Sequence, residues 1–213
     1  MLKKLFLFEE FTNLTIKLNN SEYNKYLNNS KRSDIVAWTV QGSQEKNFNL
    51  IKPFIKNGDT LLDYGCGIGD LISFLKSNNI NISDYLGVDI NKNFIDLSKK
   101  SYPNNNFQLI KNVNDIKRKW DIISCIGVFT WYIGKDDFVN TIHKLYNICN
   151  KELLITCLYG NTYDYYKRKE GFWNSEYRKY NKKIFNDLFP NFNFEFFFSK
   201  EDNNTMLVRI VKK

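Results

Sequence analysis

Thr60-Leu61-Leu62-Asp63-Tyr64-Gly65-Cys66-Gly67-Ile68-Gly69-Asp70-Leu71 reads as a short apolar strand that runs into three closely spaced glycines and then opens a helix, DLISFLKSN (70–78). Glycine adopts positive φ without strain and lets a ligand approach the backbone with no Cβ in the way. A GxGxG run alone has little specificity. Placed after a strand and at the opening of a helix, it becomes a candidate ligand loop. Gly65 and Gly67 would form the turn, and Gly69 would allow close helix packing. A tight turn without a ligand is the structural alternative.

The pattern continues downstream as strands alternating with helices. YLGVDI (85–90), FQLIK (107–111), WDIISCIGVF (120–129) and ELLITCLY (152–159) read as strands, with helices over NFIDLSKKSY (93–102) and FVNTIHKLYNIC (138–149). The fourth strand is almost continuously apolar, as a strand buried on both faces should be. Upstream, Ser43 precedes an apolar-spaced run that predicts a helix over 44–56. Downstream, residues 161–189 are polar, basic and aromatic, with a helix expected from Glu176 to Phe189. FNFEFFFS (192–199) and TMLVRIV (205–211) then read as an antiparallel hairpin. Alternation of this kind indicates βαβ units and an open parallel sheet covered on both faces.

The end of the second strand carries an acid. Asp89 lies 24 residues beyond Gly65, the separation expected of a carboxylate that accepts hydrogen bonds from ribose hydroxyls; a surface strand cap is the alternative. A dinucleotide loop fits less well. GCGIGD ends in Asp70 where GxGxxG needs its third small residue, and Asp63 would repel a pyrophosphate. A carboxylate there suits a cationic, phosphate-free ligand.

These residues resemble the class I S-adenosylmethionine-dependent methyltransferases, whose first-strand motif (D/E)xGxGxG is matched by DYGCGIG (63–69). The resemblance covers about residues 42–160. It implies an α/β three-layer sandwich with a mostly parallel seven-stranded sheet, order 3-2-1-4-5-7-6, the last strand antiparallel, plus an N-terminal helical cap. It also implies S-adenosylmethionine as cofactor. Asp63 would organise the loop and help hold the methionine amino group through water or backbone. Gly65, Cys66 and Gly67 would pass beneath the cofactor, Asp89 would bind the ribose, and Ile90 would pack on the adenine. Asn112 and Val113 would face the adenine edge and ring, and Cys125, Ile126 and Gly127 would form the cofactor floor. Val128, Phe129 and Trp131 would border the pocket mouth.

Methyl transfer needs alignment and, for some acceptors, a base. No residue is assigned that role. The candidates are Tyr132, Asp136 and the single histidine, His143, which sits mid-helix and suits packing as well; Asp136 and Asp137 also suit the first turn of a helix. The (D/N)PP(Y/F) motif of nucleobase-amine methylation is absent, because SCIG (124–127) stands in its place. The Pro-Cys nucleophile of cytosine C5 enzymes is absent too, because Cys125 follows Ser124.

Composition narrows the rest. The chain has 213 residues, 30 Asn, 26 Lys, 5 Arg and one Ala, a pattern of A/T-rich codon bias rather than chemistry. Its net charge of +8 is unevenly placed: residues 51–164 carry 13 basic and 12 acidic side chains, residues 165–213 carry 11 and 6. The run KRKEGFWNSEYRKYNKK (167–183) interleaves seven cations with aromatics. It reads as a lid over an anionic substrate, an RNA contact surface, or a solvated amphipathic helix. Four cysteines without a CxxC pair and one histidine make a metal site unexpected. MLKKLFLFEE imitates a secretory start, but its apolar run stops at Glu9–Glu10, so no leader is expected. No stretch approaches a membrane span.

The expectation is therefore one cytoplasmic methyltransferase domain, with residues 1–43 as cap and 44–213 as catalytic core including a basic lid-like segment, 161–189. Its substrate would be a small metabolite, anionic or phosphorylated among the options, or a sugar- or nucleotide-linked precursor. An RNA methyltransferase, a non-catalytic S-adenosylmethionine-binding partner subunit and an NAD-dependent reductase are the alternatives.

Overall fold

Strand β1 (Thr60–Tyr64) lies at the centre of the sheet, and its consecutive leucines divide the core. Successive side chains of a strand point to opposite faces. Leu61 enters a cluster with Phe48, Ile51, Leu71, Leu75 and Ile95, while Leu62 enters another with Val88, Ile123, Phe138, Ile142 and Leu153. Each such buried leucine contributes about 1.5–3 kcal/mol. The computed structural model describes residues 27–28, 32–36, 42–130, 135–160, 179–200 and 204–212.

The elements are α1 (Arg32–Ile35), α2 (Ser43–Ile51), β1, α3 (Asp70–Ser77), β2 (Asp84–Asp89), α4 (Lys92–Ser101), β3 (Asn106–Leu109), β4 (Trp120–Ile126), α5 (Lys135–Ile148), β5 (Cys149–Tyr159), β6 (Lys179–Tyr180), α6 (Lys182–Leu188), β7 (Phe194–Phe198) and β8 (Thr205–Val211). The sheet runs β3-β2-β1-β4-β5-β8-β7. All its main pairs are parallel except those of β8, which is antiparallel to both β5 and β7. With the two-residue β6 set aside, this is the expected order 3-2-1-4-5-7-6. Residues of α2, α3 and α4 cover one face and residues of α5 and α6 the other.

Local chemistry explains where the elements stop. The helix expected over 44–56 ends at Ile51 and tightens into a 3₁₀ turn, Lys52–Phe54, because Pro53 has no N–H to continue the ladder. Helix α4 starts under an Asn91 cap, whose side chain accepts from the backbone of Asn93 and Phe94, and stops two residues before Pro103. Strand β4 ends at Ile126 rather than Phe129. Gly127 turns the chain at φ 70°, and the apolar run persists because Phe129 is fully buried edge-on against Phe138.

Beyond that point β6 takes the place β4 has vacated. It pairs with Leu158 and Tyr159 of β5, whose opposite edge is occupied by β8. The buried Tyr180 hydroxyl donates to the Phe129 carbonyl at 2.8 Å. The helix expected from Glu176 is observed from Lys182; residues 176–178 lie outside the described residues. Among the described residues, no helix is long and apolar enough to cross a membrane.

Candidate cofactor site

The glycine turn leaves β1 and is pinned to β2 by its own backbone. The N–H groups of Gly65 and Cys66 both donate to the Val88 carbonyl, at 2.8 and 3.0 Å. Gly65 and Gly67 adopt φ of 77° and 54°, a region that costs other L-residues roughly 1–2 kcal/mol. Sterics add to this. A Cβ on Gly65 would overlap Val128 Cγ2, and one on Gly67 would lie 2.8 Å from Val36 Cγ1. The turn is thus a bare backbone cradle bordered by one valine from the turn that follows β4 and one from the N-terminal segment. At Gly69 the lack of a side chain serves packing, since a Cβ would meet the Phe107 ring at 2.8 Å.

Asp89, the last residue of β2, ties the second strand to this turn. One carboxylate oxygen accepts from the Gly67 N–H at 2.9 Å and the other from the Asn91 N–H at 2.8 Å. The Ile90 N–H also bonds this carboxylate, which leaves one of its roughly four acceptor sites for a further donor. Burial pushes this carboxyl up to about 6, and the backbone bonds partly counter it. Asp63 is placed differently. It is 2 % exposed and lies among the strands, accepting from Tyr85 Oη on β2 and Ser124 Oγ on β4, each at 3.0 Å. Desolvation raises it to about 7.

The parallel order β3-β2-β1-β4 brings the other anticipated residues to the same sheet end. Half-buried Cys66 lies in the turn, half-buried Ile90 follows Asp89, and half-buried Ile126 closes β4. Asn112 caps the turn Val113–Asp115, its side-chain oxygen accepting from the Asn114 N–H at 2.9 Å, and Val113 is buried. Cys125 is fully interior, and burial raises its thiol well above the ordinary range. Two of the three base candidates fall among the described residues. His143 sits between the rings of Phe189 and Phe192, with centroids at 5.3 and 5.1 Å. Asp136 is exposed in the first turn of α5. Tyr132, Trp131 and residues 161–178 lie outside the described residues.

Sequence reasoning missed the docking of α1 onto the far side of this turn. Arg32 reaches Asp70 Oδ1 through Nε at 2.8 Å, the Ile68 carbonyl at 3.1 Å, Ser101 Oγ at 3.1 Å and Tyr102 Oη at 3.4 Å. Tyr102 Oη and Gln44 Nε2 also bond Asp70. One signal was available: arginine is rare in this lysine-rich chain. The described arginines all use the planar fork that lysine lacks. Arg118 pairs with Asp84 and stacks over Trp120, and Arg209 bridges Glu152 and Glu195 beneath Phe54. Arg32→Lys keeps the charge but cannot span these partners, so it should cost about 1 kcal/mol in chemical denaturation, given a half-exposed fork. An unchanged midpoint would remove the latch role.

Residues 62–151 match the model of the methyltransferase domain family, Methyltransf_12. A protein of Acanthamoeba polyphaga mimivirus provisionally named an mRNA-capping enzyme is 30 % identical over 144 residues, 64 % of this chain and 12 % of that protein. Protein 235L of Invertebrate iridescent virus 6, which bears a provisional methyltransferase name, is 26 % identical over 130 residues, 61 % of this chain and 46 % of that protein. The chain thus spans less than half the length of either viral relative. Among solved structures, magnesium protoporphyrin IX methyltransferase from Synechocystis PCC 6803 with bound S-adenosylmethionine superimposes with a TM-score of 0.68 at 11 % identity, covering 95 % of this chain and 97 % of that one. Residues 62–151 thus match a methyltransferase domain, and the fold is that of the class I, Rossmann-like S-adenosylmethionine-dependent methyltransferases.

Proposed function

We propose that this chain transfers a methyl group from S-adenosylmethionine to a small acceptor of the anionic or phosphorylated type, including sugar- and nucleotide-linked precursors. The observation that carries the cofactor assignment is the Asp89–Gly67 hydrogen bond, which joins the ribose-type acid to a cradle no side chain could occupy. Asp89 would present its remaining acceptor site to the ribose hydroxyls, and Gly65 and Gly67 would run beneath the methionine portion. Ile90, Asn112, Val113 and Ile126 would border the adenine and the floor. When bound, the cofactor supplies a methyl carbon already activated by its sulfonium. The protein's own task is then to orient the acceptor and exclude water.

The segment 1–43 would act as a cap on a catalytic core of 44–213, and α1 already docks through Arg32 onto the helix that follows the turn. The charge surplus over 167–183 supports an anionic acceptor. The free thiols of Cys66, Cys125, Cys149 and Cys157 support a reducing, cytoplasmic setting. RNA is the second reading, favoured by the mimivirus relative and its mRNA-capping name. Incubation with methyl-labelled S-adenosylmethionine and either fractionated small metabolites or total RNA separates the two. We expect label in a small-molecule fraction; label confined to RNA would overturn the small-acceptor assignment, and none in either would overturn both.

A further inference from the structure

We propose that Tyr85 and Ser124 are positioning residues for the cofactor turn: their hydroxyls, one from each strand flanking β1, hold the Asp63 carboxylate as an anion directly below the glycines, where its charge favours a cationic ligand. This rests on the S-adenosylmethionine reading above. That ligand carries a sulfonium and an ammonium against one carboxylate, so a buried negative charge beneath its seat attracts it.

The geometry offers Asp63 two proton states. As an anion it accepts from Tyr85 Oη and Ser124 Oγ, both at 3.0 Å. As a neutral acid it could donate to Ser124 Oγ instead, whose own proton then has the Leu62 carbonyl at 3.4 Å. The surroundings set the balance. Burial disfavours the anion, Asp89 at the end of β2 and Asp70 at the start of α3 push the same way, and the two hydroxyl bonds oppose them. Arg32 is engaged with Asp70. Tyr85 stays a neutral donor, because burial and Asp63 itself drive its hydroxyl well above its ordinary range. The Cys66 and Cys125 thiols, whose ionisation the Asp63 charge also disfavours, and the neighbouring Tyr64 hydroxyl are raised by burial and stay neutral. Asp63 is then the group in this cluster that changes charge near neutral pH, with Asp89 following below it. The hydroxyls decide on which side of neutrality it does so.

Calorimetric titration of the full chain with S-adenosylmethionine between pH 5.5 and 8.5 tests this. Wild-type affinity should fall as the pH drops through the neutral range. Removing one donor leaves the anion less stabilised, so Tyr85→Phe should move the midpoint up by about one pH unit. Affinity at pH 7 should then fall about 5- to 10-fold and return to near wild type at pH 8.5. Ser124→Ala should behave alike, and Asp63→Asn should be weak at every pH. A loss that is equal at all pH values, or a profile unchanged in both hydroxyl variants, would overturn the assignment. Absence of S-adenosylmethionine binding by the wild type at any pH would instead sink the cofactor reading, and this inference with it.

Discussion

A Gly67→Val protein is expected to fold and to bind S-adenosylmethionine at least about 100-fold more weakly than the parent, a loss of roughly 2.7 kcal/mol. Three effects combine at this residue. Its φ of 54° lies in the left-handed region, where a β-branched residue is strained. Its Cβ would crowd Val36 Cγ1 at 2.8 Å. Its N–H bonds the Asp89 carboxylate, so a backbone shift that relieves the clash also displaces the acid meant for the ribose. Gly58→Ala is the matched control. Gly58 has φ 85° with open space around its Cβ position and precedes β1, at the opposite end of the strand from the turn. It should lose about 1 kcal/mol of stability with an unchanged Kd. Calorimetry and thermal unfolding on both variants decide the matter: a folded Gly67→Val protein with parental affinity would remove the turn from the site.

Asp89→Ala should raise the cofactor Kd about 10-fold or more, on the ~1.5–3 kcal/mol scale of a hydrogen bond to a charged group. The substitution removes the acceptor for any ribose hydroxyl and also strips the Gly67 N–H of its partner. Asp89→Asn separates these contributions. It keeps one acceptor oxygen, enough for the Gly67 N–H, but replaces the other with a donor where Asn91 presents its own N–H. Its affinity should therefore lie between those of the parent and the alanine variant. Equal affinity of all three proteins would take Asp89 out of cofactor binding.

Which parts of this site could be read from the chain follows from how local their causes are. DYGCGIG and GVDI were legible because a glycine turn, an acid at a strand end and the spacing between them are local features. The sheet order followed from strand–helix alternation together with the family resemblance. The limits of β4 were not legible. Val128 and Phe129 are as apolar as the strand before them, yet they pack as a turn against Gly65 and Phe138. The rarity of arginine marked Arg32 but not where it docks, since its partners Ile68, Asp70, Ser101 and Tyr102 come from loop and helix residues well separated from it in sequence.

The amino-acid sequence by itself determined the α/β class, the strand that carries the glycine turn, and the two acids, Asp63 and Asp89, on either side of it. Only the tertiary structure decided that these acids differ. Asp63 faces inward to hydroxyls 22 and 61 residues away, and Asp89 reaches back to the turn. The reason lies in burial. Leu61, Leu62 and Asp63 are all buried, so β1 has no polar alternation to announce where an acid points. That direction is set by the donors the neighbouring strands supply, because a buried carboxylate must find them or give up its charge.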